Sequence, residues 1–100
     1  MASFSELVWQ ATRRIPKGKV ATYSVIAKLI KRPKAVRAVG NALNKNPYAP
    51  AVPCHRVVRS DGSVGGFASG SGNKIKLLRS EKINIINNKV KPLKDYLFKG

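Results

Sequence analysis

One cysteine and one histidine stand side by side, Cys54 and His55, inside Pro53-Cys54-His55-Arg56-Val57. A thiol attacks as its thiolate, and free cysteine with a pKa near about 8.5 is only slightly ionised at neutral pH. An imidazole neighbour can take that proton. The plain alternative is a buried structural cysteine beside a core histidine, because free cysteine is among the most buried residue types. A working imidazole needs its other nitrogen oriented. The sequence has only four carboxylates for that task, Glu6, Asp61, Glu81 and Asp95. Glu81 lies three residues after Leu78 and four after Leu77, so on a helix it points toward the apolar side, where a carboxylate needs a partner. If Cys54 to Val58 is extended, neighbouring side chains alternate between faces, and the imidazole reaches the thiol through a water or a local kink.

Twenty Lys and Arg against four acidic residues give a formal charge of +16 over 100 residues. That is more than solubility requires and costly in self-repulsion, so a polyanion partner is the natural explanation. Nucleic acid and an anionic membrane surface both qualify. No apolar run approaches the length of a spanning helix and no strongly apolar segment opens the chain, which makes nucleic acid the stronger reading and no membrane partner the expectation. A lone cysteine cannot close an internal disulfide, and a catalytic thiol must stay reduced. A cytoplasmic setting, or a nuclear one in a eukaryote, is therefore expected. Counting rules out a four-ligand zinc site of Cys and His, and no metal is expected.

The length suits one domain, residues 1–100, with a modest core. Ser3 and Glu6 have capping-box spacing ahead of a helix whose Phe4, Leu7, Val8, Ala11 and Ile15 share one face. Trp9 lies off that stripe as a packing residue, and Pro16-Lys17-Gly18 ends the helix. Lys19 to Ala21 reads as short and extended. Thr22 caps a second helix with Val25, Ile26 and Leu29 inward, broken at Lys31-Arg32-Pro33. A third helix is predicted from about Lys34 to Leu43, with Val36, Val39 and Leu43 inward, Arg37, Asn41 and Asn44 on another face, and small residues at Ala35, Ala38 and Ala42. The pair reads as a helix-turn-helix. Asn44 to Pro53 is an ordered loop delivering Cys54. Cys54 to Val58 is predicted extended, with a turn at Ser60-Asp61-Gly62 giving a wing-like hairpin to Val64. Gly65 to Gly72 reads either as a flexible linker or as backbone that approaches a ligand. A fourth helix spans Asn73 to Glu81 with Ile75 and Leu78 inward. A hairpin follows, turning at Asn87-Asn88, then an apolar and basic tail without evident chemistry. The fold class is mainly α with a small β hairpin, a winged helix-turn-helix-like DNA-binding domain.

Pro53 to Val57, with Asn46-Pro47 before it and Gly65-Gly66-Phe67 after it, resembles the active-site signature of the O6-alkylguanine-DNA alkyltransferases, the methylated-DNA-protein-cysteine methyltransferases. The resemblance runs from about Phe4 to Glu81, in that family's C-terminal catalytic and DNA-binding domain; its usual N-terminal domain has no counterpart here. It implies single-turnover transfer of the alkyl group from O6-alkylguanine in double-stranded DNA to Cys54, with the base flipped from the helix, no cofactor, and a monomer. It implies a Glu-His-water-Cys relay of Glu81, His55 and Cys54, the first carried over from the Lys-x-Trp-Leu-Leu-x-x-Glu spacing, in which Lys76 replaces the tryptophan. By the same resemblance Tyr23 after Thr22 donates to the departing guanine, and Arg37, opening Arg-Ala-Val-Gly, fills the space of the flipped base. In that family the recognition helix enters the minor groove, for which small Ala35, Ala38 and Gly40 suit close approach, with Asn41 on the implied DNA-facing side. The resemblance further implies that backbone at Val57 and Ala68 holds the base edge and that Asn46 braces the loop; Phe67 stands where many relatives have tyrosine. The alternative is a non-catalytic alkyltransferase-like damage-binding protein, although such proteins typically carry tryptophan at the cysteine position. A plain winged-helix module is a third reading.

Overall fold

The first helix is set by its cap. Ser3 Oγ accepts from the Glu6 amide at 3.2 Å, opening α1, Phe4–Arg13, which buries Val8, Ala11 and Thr12. The computed structural model describes residues 3–48, 51–64 and 71–100. Beyond α1, Ile15 is buried and Gly18 turns the chain at φ 88° into β1, Ala21–Thr22. Thr22 Oγ1 then accepts from the Val25 amide at 3.1 Å and caps α2, Tyr23–Leu29.

Lys31, at φ 63°, ends α2 in the left-handed region. Arg32 N–H donates to Ala27 O at 2.8 Å and Lys31 N–H to Lys28 O at 3.0 Å. This is the paired closure of a Schellman motif, normally built on glycine. The turn leads to α3, Val36–Asn44, and the two helices pack on each other and on α1. Here the sequence expectation needs two corrections. The helix starts two residues later than predicted, so Val36 is its first residue, 38% exposed, and the inward set is Val39, Ala42 and Leu43. Ala42 therefore belongs to the core rather than to a small-residue outer surface. Its carbonyl also accepts from Trp9 Nε1 at 3.0 Å.

The predicted extended run from Cys54 does not form. Cys54–Arg56 is a single 3₁₀ turn, closed by Arg56 N–H on Pro53 O at 2.9 Å, and only Val57–Val58 is extended, as β2. Nor does β2 fold back as a hairpin. It pairs in parallel with β1, Ala21 opposite Val57 and Thr22 opposite Val58. The turn at Ser60-Asp61-Gly62 is present, with Gly62 at φ 89°, and hands Ser63 to a bridge with Lys89. The segment Gly65 to Gly70 lies outside the described residues.

The helix α4, Ser71–Ser80, begins two residues earlier than predicted and stops before Glu81. Ile83 N–H donates to Leu78 O at 3.1 Å and Lys82 N–H to Arg79 O at 3.0 Å, with Lys82 at φ 67°. It is a second Schellman closure on lysine, which makes Glu81 the C-cap residue. Asn87 and Asn88, at φ 51° and 63°, provide the two left-handed residues of a tight turn between β3, Ile85–Ile86, and β4, Lys89–Val90. A last helix, α5, Leu93–Tyr96, precedes a tail that bridges Val20 through Leu97.

Two cores result. Val8, Ile15, Ala21, Ile26, Val39 and Val57 fill the first among α1, α2 and α3. Val20, Val58, Val64, Leu78, Ile83 and Val90 fill the second. Because side chains alternate along extended backbone, Ala21 and Val57 face the first core and Val20 and Val58 the second, and the parallel pair forms the wall between them. The 3₁₀ turn bearing Cys54 runs directly into that wall.

Candidate active site

Pro53 N-caps the 3₁₀ turn, and the loop before it is tied by one side chain. Asn46 Nδ2 donates to Val52 O at 2.9 Å while its Oδ1 accepts from the Tyr48 amide at 2.9 Å. Cys54 N–H donates to Val52 O at 2.8 Å, so Asn46 and Cys54 hold one carbonyl between them. Cys54 itself is partly exposed and is the free thiol of the chain.

The turn places consecutive side chains on one side, which a strand would not. His55, 4% exposed, brings Nε2 to 2.9 Å from Glu81 Oε2. Arg56 grips the same carboxylate, Nε to Oε1 at 2.8 Å and Nη2 to Oε2 at 2.8 Å, and its Nη1 donates to Ile15 O at 2.9 Å. Burial pushes the Glu81 carboxyl up, but the hydrogen bonds and charges of Arg56 and His55 overcome it and hold the group below the usual carboxylate range. An ionised carboxylate only accepts. His55 therefore donates from Nε2, and in the neutral ring Nδ1 is then the acceptor nitrogen.

From α4, Lys74 is 1% exposed and donates from Nζ to Val57 O at 2.6 Å. Desolvation lowers its pKa from 10.5 to about 8, with Cys54 pulling it back up and Arg59 adding to the fall. Tyr23 is shifted upward by burial, lowered in part by Arg59 and raised further by Cys54. Cys54, Tyr23, Lys74 and Arg59 thus share one electrostatic neighbourhood. The Tyr23 ring lies over α3 at Gly40, where a Cβ would stand 3.8 Å from the ring.

Thr22, buried, spends its hydroxyl as the α2 cap acceptor. Val57 is buried in the wall. Arg37, Ala38 and Asn41 are exposed on α3, with Gly40 half-buried among them and Ala35 half-buried as the residue before the helix. Phe67 and Ala68 lie outside the described residues. Sequence reasoning gave no role to Arg56 or Lys74. Lys74 had a signal, since Lys74, Leu78 and Glu81 fall at i, i+4 and i+7 of one helix face. Arg56 had none without knowledge of the turn. Among the described residues no group of three or more His, Cys, Asp or Glu side chains comes together as metal ligands. No helix among them is long and apolar enough to cross a membrane.

A helix-turn-helix with a strongly basic composition, beside a cysteine whose neighbouring histidine is fixed by a carboxylate, has the make-up of a DNA-binding domain. Residues 3–83 match the DNA-binding domain of 6-O-methylguanine DNA methyltransferase, and the chain belongs to that DNA-repair alkyltransferase family. It is 41% identical over 97 residues to a methylated-DNA–protein-cysteine methyltransferase of Haemophilus influenzae, covering 97% of this chain and 54% of that protein. Mycobacterium tuberculosis OGT, solved in complex with DNA, superposes with a TM-score of 0.79 at 43% identity over 82% of this chain and 51% of the other. S. pombe Atl1, in complex with damaged DNA containing O6-carboxymethylguanine, matches with a TM-score of 0.88 at 30% identity over 100% of both chains. The chain thus spans about half the length of the methyltransferase relative it matches and the whole length of Atl1.

Proposed function

We propose that the chain repairs O6-alkylguanine in DNA by moving the alkyl group to Cys54 in a single turnover. The observation that carries this reading is the fixed imidazole: His55, held by Glu81 at 2.9 Å, stands next in sequence to the chain's one thiol. The Cys54 proton passes through a water to His55 Nδ1. The thiolate attacks the alkyl carbon, a C–S bond forms as the C–O6 bond breaks, and the electron pair leaves with the guanine, where the Tyr23 hydroxyl donates to the developing negative charge. The thioether is stable, so the protein acts once and calls for no cofactor. Flipping the base is needed because O6 is inaccessible in the stack. Arg37 takes the vacated space, Ala35, Ala38, Gly40 and Asn41 line the groove-facing side, Thr22 sets Tyr23, and backbone at Val57 and Ala68, beside Phe67, meets the base. Asn46 fixes the loop. Residues 1–100 work as one catalytic and DNA-binding unit, as a monomer, in the cytoplasm or a nucleus.

The match to Atl1 over the full length of both chains favours a second reading, a non-catalytic binder of alkylated guanine. Intact-mass measurement after incubation with an O6-methylguanine duplex separates the two. Transfer adds one methyl group per chain and none to Cys54→Ala; tight binding with unchanged mass establishes the binder.

A further inference from the structure

Glu81 has two oxygens and three donors. His55 Nε2 and Arg56 Nη2 share Oε2, Arg56 Nε takes Oε1, and Arg56 Nη1 anchors the guanidinium on Ile15 O at the end of α1. The fork is planar and two-pronged, which lysine cannot reproduce. We propose that Arg56 is the positioning residue of the transfer site: by occupying both oxygens of Glu81 it keeps that group a pure acceptor, and so holds His55 with the proton on Nε2 and Nδ1 open.

This inference rests on the alkyl-transfer reading, and its logic is one of tautomers. A neutral imidazole has one donor and one acceptor nitrogen. Without Arg56, Glu81 stays sheltered, its side chain 9% exposed, while its strongest compensating partner is gone. Burial then favours the protonated carboxyl. A protonated Glu81 donates to Nε2, moves the ring proton to Nδ1, and offers the thiol side a donor where an acceptor is needed. The other groups felt at Cys54 and Tyr23, namely Lys74 from α4 and Arg59 after β2, stay in place.

The test uses alkyl transfer from an O6-methylguanine duplex as a function of pH, together with ¹⁵N spectra of the imidazole, unambiguous because the chain has one histidine. Wild type should show the Nε2–H tautomer at neutral pH. Arg56→Gln should slow transfer by about ten- to a hundredfold, the range found for partners that orient metal-bound histidines, move the acidic limb of the rate profile up by about one pH unit or more, and shift the tautomer toward Nδ1–H. On a Glu81→Gln background the same change should add little. Arg56→Lys, which retains charge without the fork, should fall between. Wild-type rate and tautomer in Arg56→Gln overturn the proposal, and so does an Nδ1–H tautomer in wild type. If Arg56→Gln does not fold, wild-type behaviour in Arg56→Lys overturns it equally. Should Glu81→Gln and His55→Ala transfer at the wild-type rate, the relay itself fails, a result distinct from a defect in Arg56 alone.

Discussion

Lys74 carries a charge in a place that works against charge, and the folding equilibrium should report it. Its side chain is 1% exposed, and desolvation brings its pKa from 10.5 to about 8. In the unfolded chain lysine returns to its ordinary value, so between the two values the unfolded state binds more protons and stability rises with pH. The deficit is therefore present in full below the folded pKa and is relieved as pH climbs toward the unfolded one. Over that whole span it amounts to about 3 kcal/mol, and between about pH 7 and about pH 9.5 the gain is about 2 kcal/mol. Urea unfolding of wild type and Lys74→Met at those two pH values isolates the effect. Methionine keeps an unbranched apolar stem and does not titrate, and the remaining lysines and tyrosines contribute to both proteins alike. The diagnostic quantity is the difference between the two pH dependences, because the variant also strips a donor from Val57 O and its absolute stability mixes both effects. Parallel profiles would refute the desolvation argument.

Tyr23→Phe deletes a hydroxyl and retains the ring over Gly40; it should fold and bind DNA as wild type does while transferring alkyl groups about a hundredfold more slowly, as expected for losing one transition-state donor, and a single-turnover assay at wild-type rate would return the residue to packing. Asn46→Ala removes the bonds to Val52 O and the Tyr48 amide and should cost about 1–3 kcal/mol in urea unfolding, with transfer slowed because the loop that holds Cys54 is loosened. Lys82→Gly relieves a left-handed backbone at φ 67° and should raise stability by up to about 1 kcal/mol, read as an increase in the unfolding midpoint; a decrease would mean that the lysine side chain makes a contribution exceeding the backbone strain.

Where the sequence spoke clearly, a period or a cap was speaking. Ser3 and Thr22 cap the helices that their spacing implied, and Asn87-Asn88 turns the hairpin it was expected to turn. Three residues have no period, so the 3₁₀ turn at Cys54–Arg56 was invisible, and extended backbone was the wrong default. The error propagated: on a strand His55 and Arg56 diverge, whereas on the turn both reach Glu81. The parallel pairing of β1 with β2 was equally hidden, since two-residue strands more than thirty positions apart carry no local signature of each other. Charge concealed the rest. With 20 basic residues in the chain, each Lys or Arg is by default a solvated one; only the face it shares with Leu78 and Glu81 marks the buried Lys74, and nothing local distinguishes the half-buried Arg56 from its neighbours. Scarcity worked the other way for the acids. Only four carboxylates exist, and the one on an apolar face had to be paired, which is why Glu81 was legible from its spacing while the arginine that satisfies it was not. A half-buried acid in a basic chain announces a partner without naming it, and the backbone turn, rather than any residue type, decides which of the many cations arrives.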